Sequence, residues 1–192
     1  IGGFSTHDAS MGYFDNPAID VVAIIFMFIA GINFALHFTA WQRRSIRHYL
    51  LDPEFLFYGF ILLLVSLITI SVLYFSDIYS GVFESAIKGV FQVVSFATTT
   101  GFTTADFDSW PLFLPYILLY AAIIGACAGS TGGGMKVIRI LLIFKQGFRE
   151  VQRLIHPKAV IPVKLGRNPV PDRVIESVWG FFAVYVMAFM LM

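Results

Sequence analysis

The chain has 192 residues, 58% of them hydrophobic and 13% charged, with mean hydropathy +0.80 and formal net charge +1. Soluble domains carry about a quarter charged residues, so the composition argues against a soluble domain, and it leaves no room for intrinsic disorder. The single cysteine, Cys127, excludes a disulfide scaffold, and the near-zero charge disfavours nucleic-acid binding, which leaves a membrane protein. The chain opens at Ile1 inside a glycine motif, shows no secretory signal peptide and stops at Met192 within an apolar run, and so reads as a piece of a longer polypeptide.

A helix crossing a bilayer needs about 20 apolar residues. Ile19 to Ala40 meets this and ends at Trp41, an interfacial residue. Phe55 to Phe75 meets it, interrupted only by Ser and Thr. Leu112 to Ala128 nearly meets it before a glycine cluster, Met135 to Phe144 forms a second apolar half, and Val174 to Met192 starts another span. Val82 to Ala97 has a helical pattern and carries Glu84, Lys88 and Gln92. At 1.5 Å per residue it covers only roughly 24 Å, so it is read as re-entrant rather than spanning.

Charge sets the orientation. Of the 13 Lys and Arg, three are Arg43, Arg44 and Arg47, nine lie between Lys136 and Arg173, and Lys88 stands alone between them. The positive-inside rule places 41–54 and 145–173 in the cytoplasm. Segments 1–18 and 76–111 then face outward, with Asp8, Asp15, Asp77, Glu84, Asp106 and Asp108. Such an acidic mouth concentrates cations, although loop acids can equally be merely solvated.

Gly3-Phe4-Ser5-Thr6-His7-Asp8 repeats as Gly101-Phe102-Thr103-Thr104-Ala105-Asp106. Each copy precedes a proline (Pro17, Pro111) and then a span. Repeated units are a mark of transport proteins. Each unit reads as spanning helix, short pore helix, glycine turn, spanning helix. The second turn, Thr98-Thr99-Thr100-Gly101-Phe102, directly follows the short helix. Extended backbone at membrane depth must line water or be buried in protein. A row of carbonyls can replace the hydration shell of a monovalent cation, glycine supplies the backbone angles that aim them, and the helix C-terminus adds partial negative charge.

These features resemble the Trk/Ktr/HKT superfamily of potassium transporters, most closely the bacterial Trk-type membrane subunit. The resemblance rests on Thr99-Thr100-Gly101-Phe102, Gly2-Gly3-Phe4-Ser5 and Gly129-Ser130-Thr131-Gly132-Gly133-Gly134-Met135-Lys136, and covers essentially the whole chain. It implies an all-α polytopic membrane protein of repeated helix–pore loop–helix units, K+ channel-like, four around one pore. The chain would hold the end of the second unit (1–54), the complete third unit (55–155), a cytoplasmic linker (156–173) and the start of the fourth unit (174–192). The resemblance implies K+ as permeant ion, with Rb+ as substitute. K+ would be bound at the filter residues Thr99, Thr100, Gly101 and Phe102 and at Ile1, Gly2 and Gly3, with carbonyls of Thr99, Thr100, Gly101, Ile1, Gly2 and Gly3 coordinating it. It implies no cofactor in this chain, a bacterial inner-membrane location in the lipid bilayer, a homodimer and a cytosolic nucleotide-binding regulatory ring. In plant relatives, serine in place of a filter glycine goes with Na+ transport; Gly3 and Gly101 favour K+. The second filter departs from the pattern, with Ile1-Gly2 where the third has Thr99-Thr100.

The stretch from Leu112 to about Ile155 is too long for one straight span, and the break is expected at Gly129 to Gly134, where each glycine costs a helix about 1 kcal/mol. A phosphate loop is excluded because Lys136 comes one residue late and Val137 follows it. Close helix packing by small residues is one reading. The resemblance implies another, a flexible intramembrane gating loop comprising Gly129, Ser130, Thr131, Gly132, Gly133, Gly134 and Lys136. Lys136 and Arg139 either snorkel to the cytoplasm or tune the pore field. Ser130 only partly matches a hydrolase elbow and has no partner base in sequence, so no enzymatic activity is expected. Asn33 and His37, four apart within a span, read as hydrogen-bonding partners of a neighbouring helix. Phe144, Phe148, Val151 and Ile155 mark one helix face beside a basic ladder, Lys145, Arg149 and Arg153. Residues 159–166 read as short extended pieces around a turn. This region suits either a basic loop near anionic lipid or the regulator's docking surface. A secondary transporter with inverted repeats and an intramembrane hydrolase are the alternatives; the shared orientation of the two repeats argues against the former.

Overall fold

The computed structural model describes residues 2–111, 113–157, 159–166 and 168–191. Ile1, Leu112 and Met192, used as boundaries or site residues above, lie outside them. The elements in chain order are α1 (Pro17–Ala30), α2 (Phe34–Arg43), α3 (Arg47–Leu51), α4 (Pro53–Phe75), α5 (Val82–Ala97), α6 (Phe113–Ile124), α7 (Val137–Ile155), β1 (Lys164–Leu165), β2 (Asn168–Pro169) and α8 (Asp172–Met190). The two strands form an antiparallel hairpin; among the described residues the other elements are helices, so the fold is mostly helical, as expected.

Helix starts follow local chemistry. Asn16 Oδ1 accepts the Ala18 N–H (2.9 Å) and Asp52 Oδ1 accepts the Phe55 N–H (2.8 Å), each with proline as the first helical residue. α4 and α8 are long and apolar enough to cross a membrane, and α4 presents Phe60, Leu63 and Leu67 outward.

α5 sits at the centre, packed against α4, α1 and α6. Its buried face is unusually polar for a core helix: Ser85, Gln92 and Ser95 are fully buried beside Phe91 and Val93. Each of these side chains makes a hydrogen bond, while Gln92 Oε1 has no partner among the described residues. Ser85 Oγ returns to the Gly81 carbonyl, Gln92 Nε2 donates to the Ala105 carbonyl (3.0 Å) and Ser95 Oγ to the Phe102 carbonyl (2.6 Å). The last two tie the chain descending after Gly101 to the helix that precedes it. Gly89 lets α4 approach: a Cβ there would already lie 3.3 Å from Leu73 and Thr69.

A buried ion pair joins α1 to α5. Lys88 Nζ lies 3.3 Å from Asp20 Oδ2, with side-chain exposures of 15% and 3%. Removing one partner of such a pair strands a charge and costs about 3–5 kcal/mol. Asp20→Asn is expected to lower the melting midpoint of the full-length protein in detergent markedly, and Asp20→Asn with Lys88→Met to recover most of the loss. A double variant as unstable as the single one would refute the charge-stranding account.

Three expectations need correction. The stretch from Ile19 to Ala40 is not one straight span: α1 and α2 meet at 92°. The cause is local, because Asn33 Oδ1 caps α2 by accepting the Ala35 N–H (2.8 Å) while another segment takes the carbonyls left free at the end of α1. The break between α6 and α7 is wider than Gly129 to Gly134, running from Gly125 to Lys136, since Gly125 (φ +75°) already leaves the helix. The basic ladder is not a free face: Arg149 is buried, 2.6 Å from Asp172 on α8, and Arg153 pairs with Glu150 at 3.2 Å. α7, the hairpin and α8 share a small core of Leu142, Val163, Ile175 and Val178. The expected hydrophobic face of α7 is present, with Phe144, Phe148, Val151 and Ile155 exposed.

Candidate functional site

The end of α5 turns straight into the threonine–glycine segment. The N–H groups of Thr98, Thr99 and Thr100 donate to the carbonyls of Val94, Phe96 and Ser95, each at 2.9 Å. Thr98 Oγ1 donates to the Val94 carbonyl (2.7 Å) and lies 2.8 Å from Thr100 Oγ1. Thr99 (φ +55°) and Gly101 (φ +83°) take left-handed backbone on either side of Thr100, which does not. Alternating handedness brings neighbouring carbonyls toward one side of the chain. Glycine does this freely, whereas a β-branched threonine does so only when its surroundings hold it. Here the hold is a hydrogen bond, because Thr99 Oγ1 accepts the Gly133 N–H at 2.6 Å.

The two copies of the sequence repeat, 98 positions apart, lie face to face. The Gly3 N–H donates to the Thr100 carbonyl (2.9 Å), and the Gly12 N–H to the Thr103 carbonyl (3.1 Å). A carbonyl has two lone pairs, so Thr100 keeps one free. Gly2 and Gly3 take φ of +99° and +66°. A Cβ on Gly101 would come within 2.9 Å of Gly3 N, and one on Gly3 would strike the Gly101 carbonyl oxygen. The expected residues Gly2, Gly3, Thr99, Thr100, Gly101 and Phe102 therefore form one cluster.

The glycine-rich loop, 125–136, folds back on itself and seats against that cluster. The Met135 N–H donates to Ile123 O (2.9 Å) and the Val137 N–H to Ala126 O (3.1 Å). The crossing is so close that a Cβ on Gly134 would lie 2.7 Å from the Ala122 carbonyl and 2.8 Å from Gly125 Cα. Gly132 underlies Thr98, whose carbonyl would lie 3.0 Å from a Cβ at that position. Ser130 Oγ donates to Cys127 O (2.6 Å), a turn bond within the loop. Lys136 Nζ donates to the Gly132 carbonyl, so it curls over the loop instead of reaching outward. Arg139 donates to the Met135 carbonyl (2.9 Å) and stacks over Phe181, 4.1 Å from its centroid.

The bend between α1 and α2 grips this loop. The Cys127 N–H donates to Gly31 O (3.0 Å), the Thr131 N–H and hydroxyl to Ala30 O (3.3 and 3.2 Å), and the Phe34 N–H to Gly129 O (3.0 Å). Asn33, read as a partner of a neighbouring helix, instead caps its own helix and abuts Gly129. His37 does bond a neighbour, with Tyr49 on α3 at 2.8 Å and Ile29 O at 3.0 Å. The reading of residue types missed Gly31, Glu54 and Tyr58. Gly31 is required because a Cβ would collide with the Tyr58 hydroxyl. A glycine two residues before an asparagine within an apolar run was the available signal.

A buried helix running into a left-handed threonine–glycine turn, flanked by apolar helices and seated on a glycine-rich break between two others, defines a membrane transport protein built of pore-loop units. The profile described as "TrkH: Cation transport protein" matches residues 1–192, and the chain belongs to this family. It is 55% identical over 192 residues to the Trk system potassium uptake protein TrkH of Salmonella typhimurium and 54% identical to that of Escherichia coli K12, in each case over 100% of this chain and 40% of the relative. The fold matches the crystal structure of the potassium transporter TrkH from Vibrio parahaemolyticus with TM-score 0.94 at 49% identity, covering 99% of this chain and 41% of that one. The chain thus spans about 40% of the length of the curated relatives it matches.

Proposed function

We propose that this chain forms the third pore unit, with parts of the second and fourth, of the ion-conducting subunit of a bacterial K+ uptake system. The unit boundaries fall at 1–54, 55–155, 156–173 and 174–192. K+ is selected by the carbonyls of Thr99, Thr100 and Gly101, ending at Phe102, and by those of Gly2 and Gly3 together with Ile1. The observation that supports this best is the face-to-face contact of the two glycine repeats, with left-handed backbone on both sides. Such backbone replaces the hydration shell of a monovalent cation without a charged side chain.

The loop from Gly129 through Ser130, Thr131, Gly132, Gly133 and Gly134 to Lys136 gates the path from below, since it sits against Thr98 and Thr99. It acts by position, and small residues suit that task better than charged ones. The complete protein lies in the inner membrane as a homodimer of four-unit subunits and takes its signal from a cytosolic nucleotide-binding ring. Transport needs no cofactor and no chemical step on the ion.

Uptake of Rb+ into proteoliposomes holding the full-length protein with its regulator tests this reading. The expected result is flux that K+ suppresses and Na+ barely affects. Folded protein that passes neither ion would overturn it.

A further inference from the structure

Glu54 is a carboxylate that the pore itself does not use. It stands in the first turn of α4, is only 7% exposed, and its Oε1 accepts the Ala128 N–H at 2.6 Å. Ala128 belongs to the glycine-rich loop, 74 residues away in sequence. α7, which follows the loop, has no side-chain capping bond from its N-cap residue, Lys136. A helix N-terminus presents unpaired N–H groups and partial positive charge. A buried carboxylate is expensive unless such donors satisfy it. One side chain on α4 therefore holds the glycine-rich loop by a backbone N–H of the loop itself.

We propose that Glu54 is a positioning residue, the latch that holds the glycine-rich loop closed beneath the threonine–glycine segment. This rests on the reading of that loop as the gate. Opening then requires the Ala128 bond to break. The other grips on the loop come from Ala30, Gly31 and Phe34 in the bend between α1 and α2 and from Thr99, whose hydroxyl accepts the Gly133 N–H, so Glu54 is the anchor supplied by α4. Cys127, buried next to Ala128, reports whether the latch is made.

The test is Rb+ flux through the full-length protein in proteoliposomes without activation of its regulator. Glu54→Ala is expected to raise this flux about tenfold with the K+/Na+ ratio unchanged, and to increase labelling of Cys127 by a thiol reagent, read from peptide mass. Glu54→Gln keeps an oxygen acceptor for the Ala128 N–H and is expected to change either readout less than threefold. A Gly134→Ala variant, whose closed loop is strained, separates the two ideas. Raised flux in Gly134→Ala but not in Glu54→Ala overturns the latch alone; wild-type flux in both overturns the gate and the latch with it. Should Glu54→Ala be recovered unfolded, Glu54→Asp, which withdraws the carboxylate by one methylene, carries the same expectations, and unchanged Cys127 labelling in it overturns the latch.

Discussion

Replacing Gly101 by serine is expected to lower the preference for Rb+ over Na+ at least tenfold in the full-length protein. Two costs act together. Gly101 sits at φ +83°, where an L-residue loses roughly 1–2 kcal/mol. Its Cβ would lie 2.9 Å from Gly3 N and 3.0 Å from Gly3 Cα, backbone atoms that cannot swing aside as a flexible side chain can. The chain must retreat, and the carbonyls of Thr100 and Gly101 move with it. A tenfold loss of discrimination corresponds to about 1.4 kcal/mol, less than the strain available. Gly3→Ser meets the Gly101 carbonyl from the other side and is expected to act similarly. Because the two positions touch, the double variant should lose less than the sum of the singles. Competition between Rb+ and Na+ across the four proteins measures this. Unchanged selectivity in Gly101→Ser would mean that this turn does not select the ion.

Replacing Gly134 by alanine is expected to produce a transporter that leaks K+ and Rb+ without stimulation. Gly134 has φ +75° and crosses Gly125, so that a Cβ would stand 2.7 Å from the Ala122 carbonyl. The closed loop cannot take it without opening the crossing that aligns Met135 with Ile123. A cost of about 2 kcal/mol confined to the closed arrangement shifts the closed-to-open ratio roughly thirtyfold. Unstimulated Rb+ flux should rise accordingly while competition by Na+ stays weak, since Gly101 and Gly3 are untouched. A fall in flux at full protein recovery would show that the loop's closed form is needed for conduction.

Much of this was legible in the residues. α5 was expected at Val82 to Ala97 and lies there, because a 16-residue amphipathic segment bounded by glycine and threonines has few other options. The repeat of Gly-Phe-[Ser/Thr]-Thr-x-Asp marked two equivalent turns, and their glycines do adopt left-handed backbone. The glycine cluster announced a break, since no helix tolerates that density of glycine. From Ile19 to Ala40 hydropathy alone predicts one span, but bilayer-length apolarity does not report whether carbonyls within the run have a partner elsewhere. The bend exists because Ala30 and Gly31 give theirs to Thr131 and Cys127, residues about 100 positions away.

The class of protein, the buried helix α5 and the two glycine turns are written in the residues, because length, apolarity and backbone permissiveness are local properties. That those turns face each other, that Thr99 is held by Gly133, that Asp20 pairs with Lys88 and that Glu54 reaches Ala128 emerges from the packing. Each is a contact between segments far apart in the chain, and no spacing rule encodes it. Polar groups in an apolar medium are costly unless paired, and which partner each one finds is settled by how the helices come together.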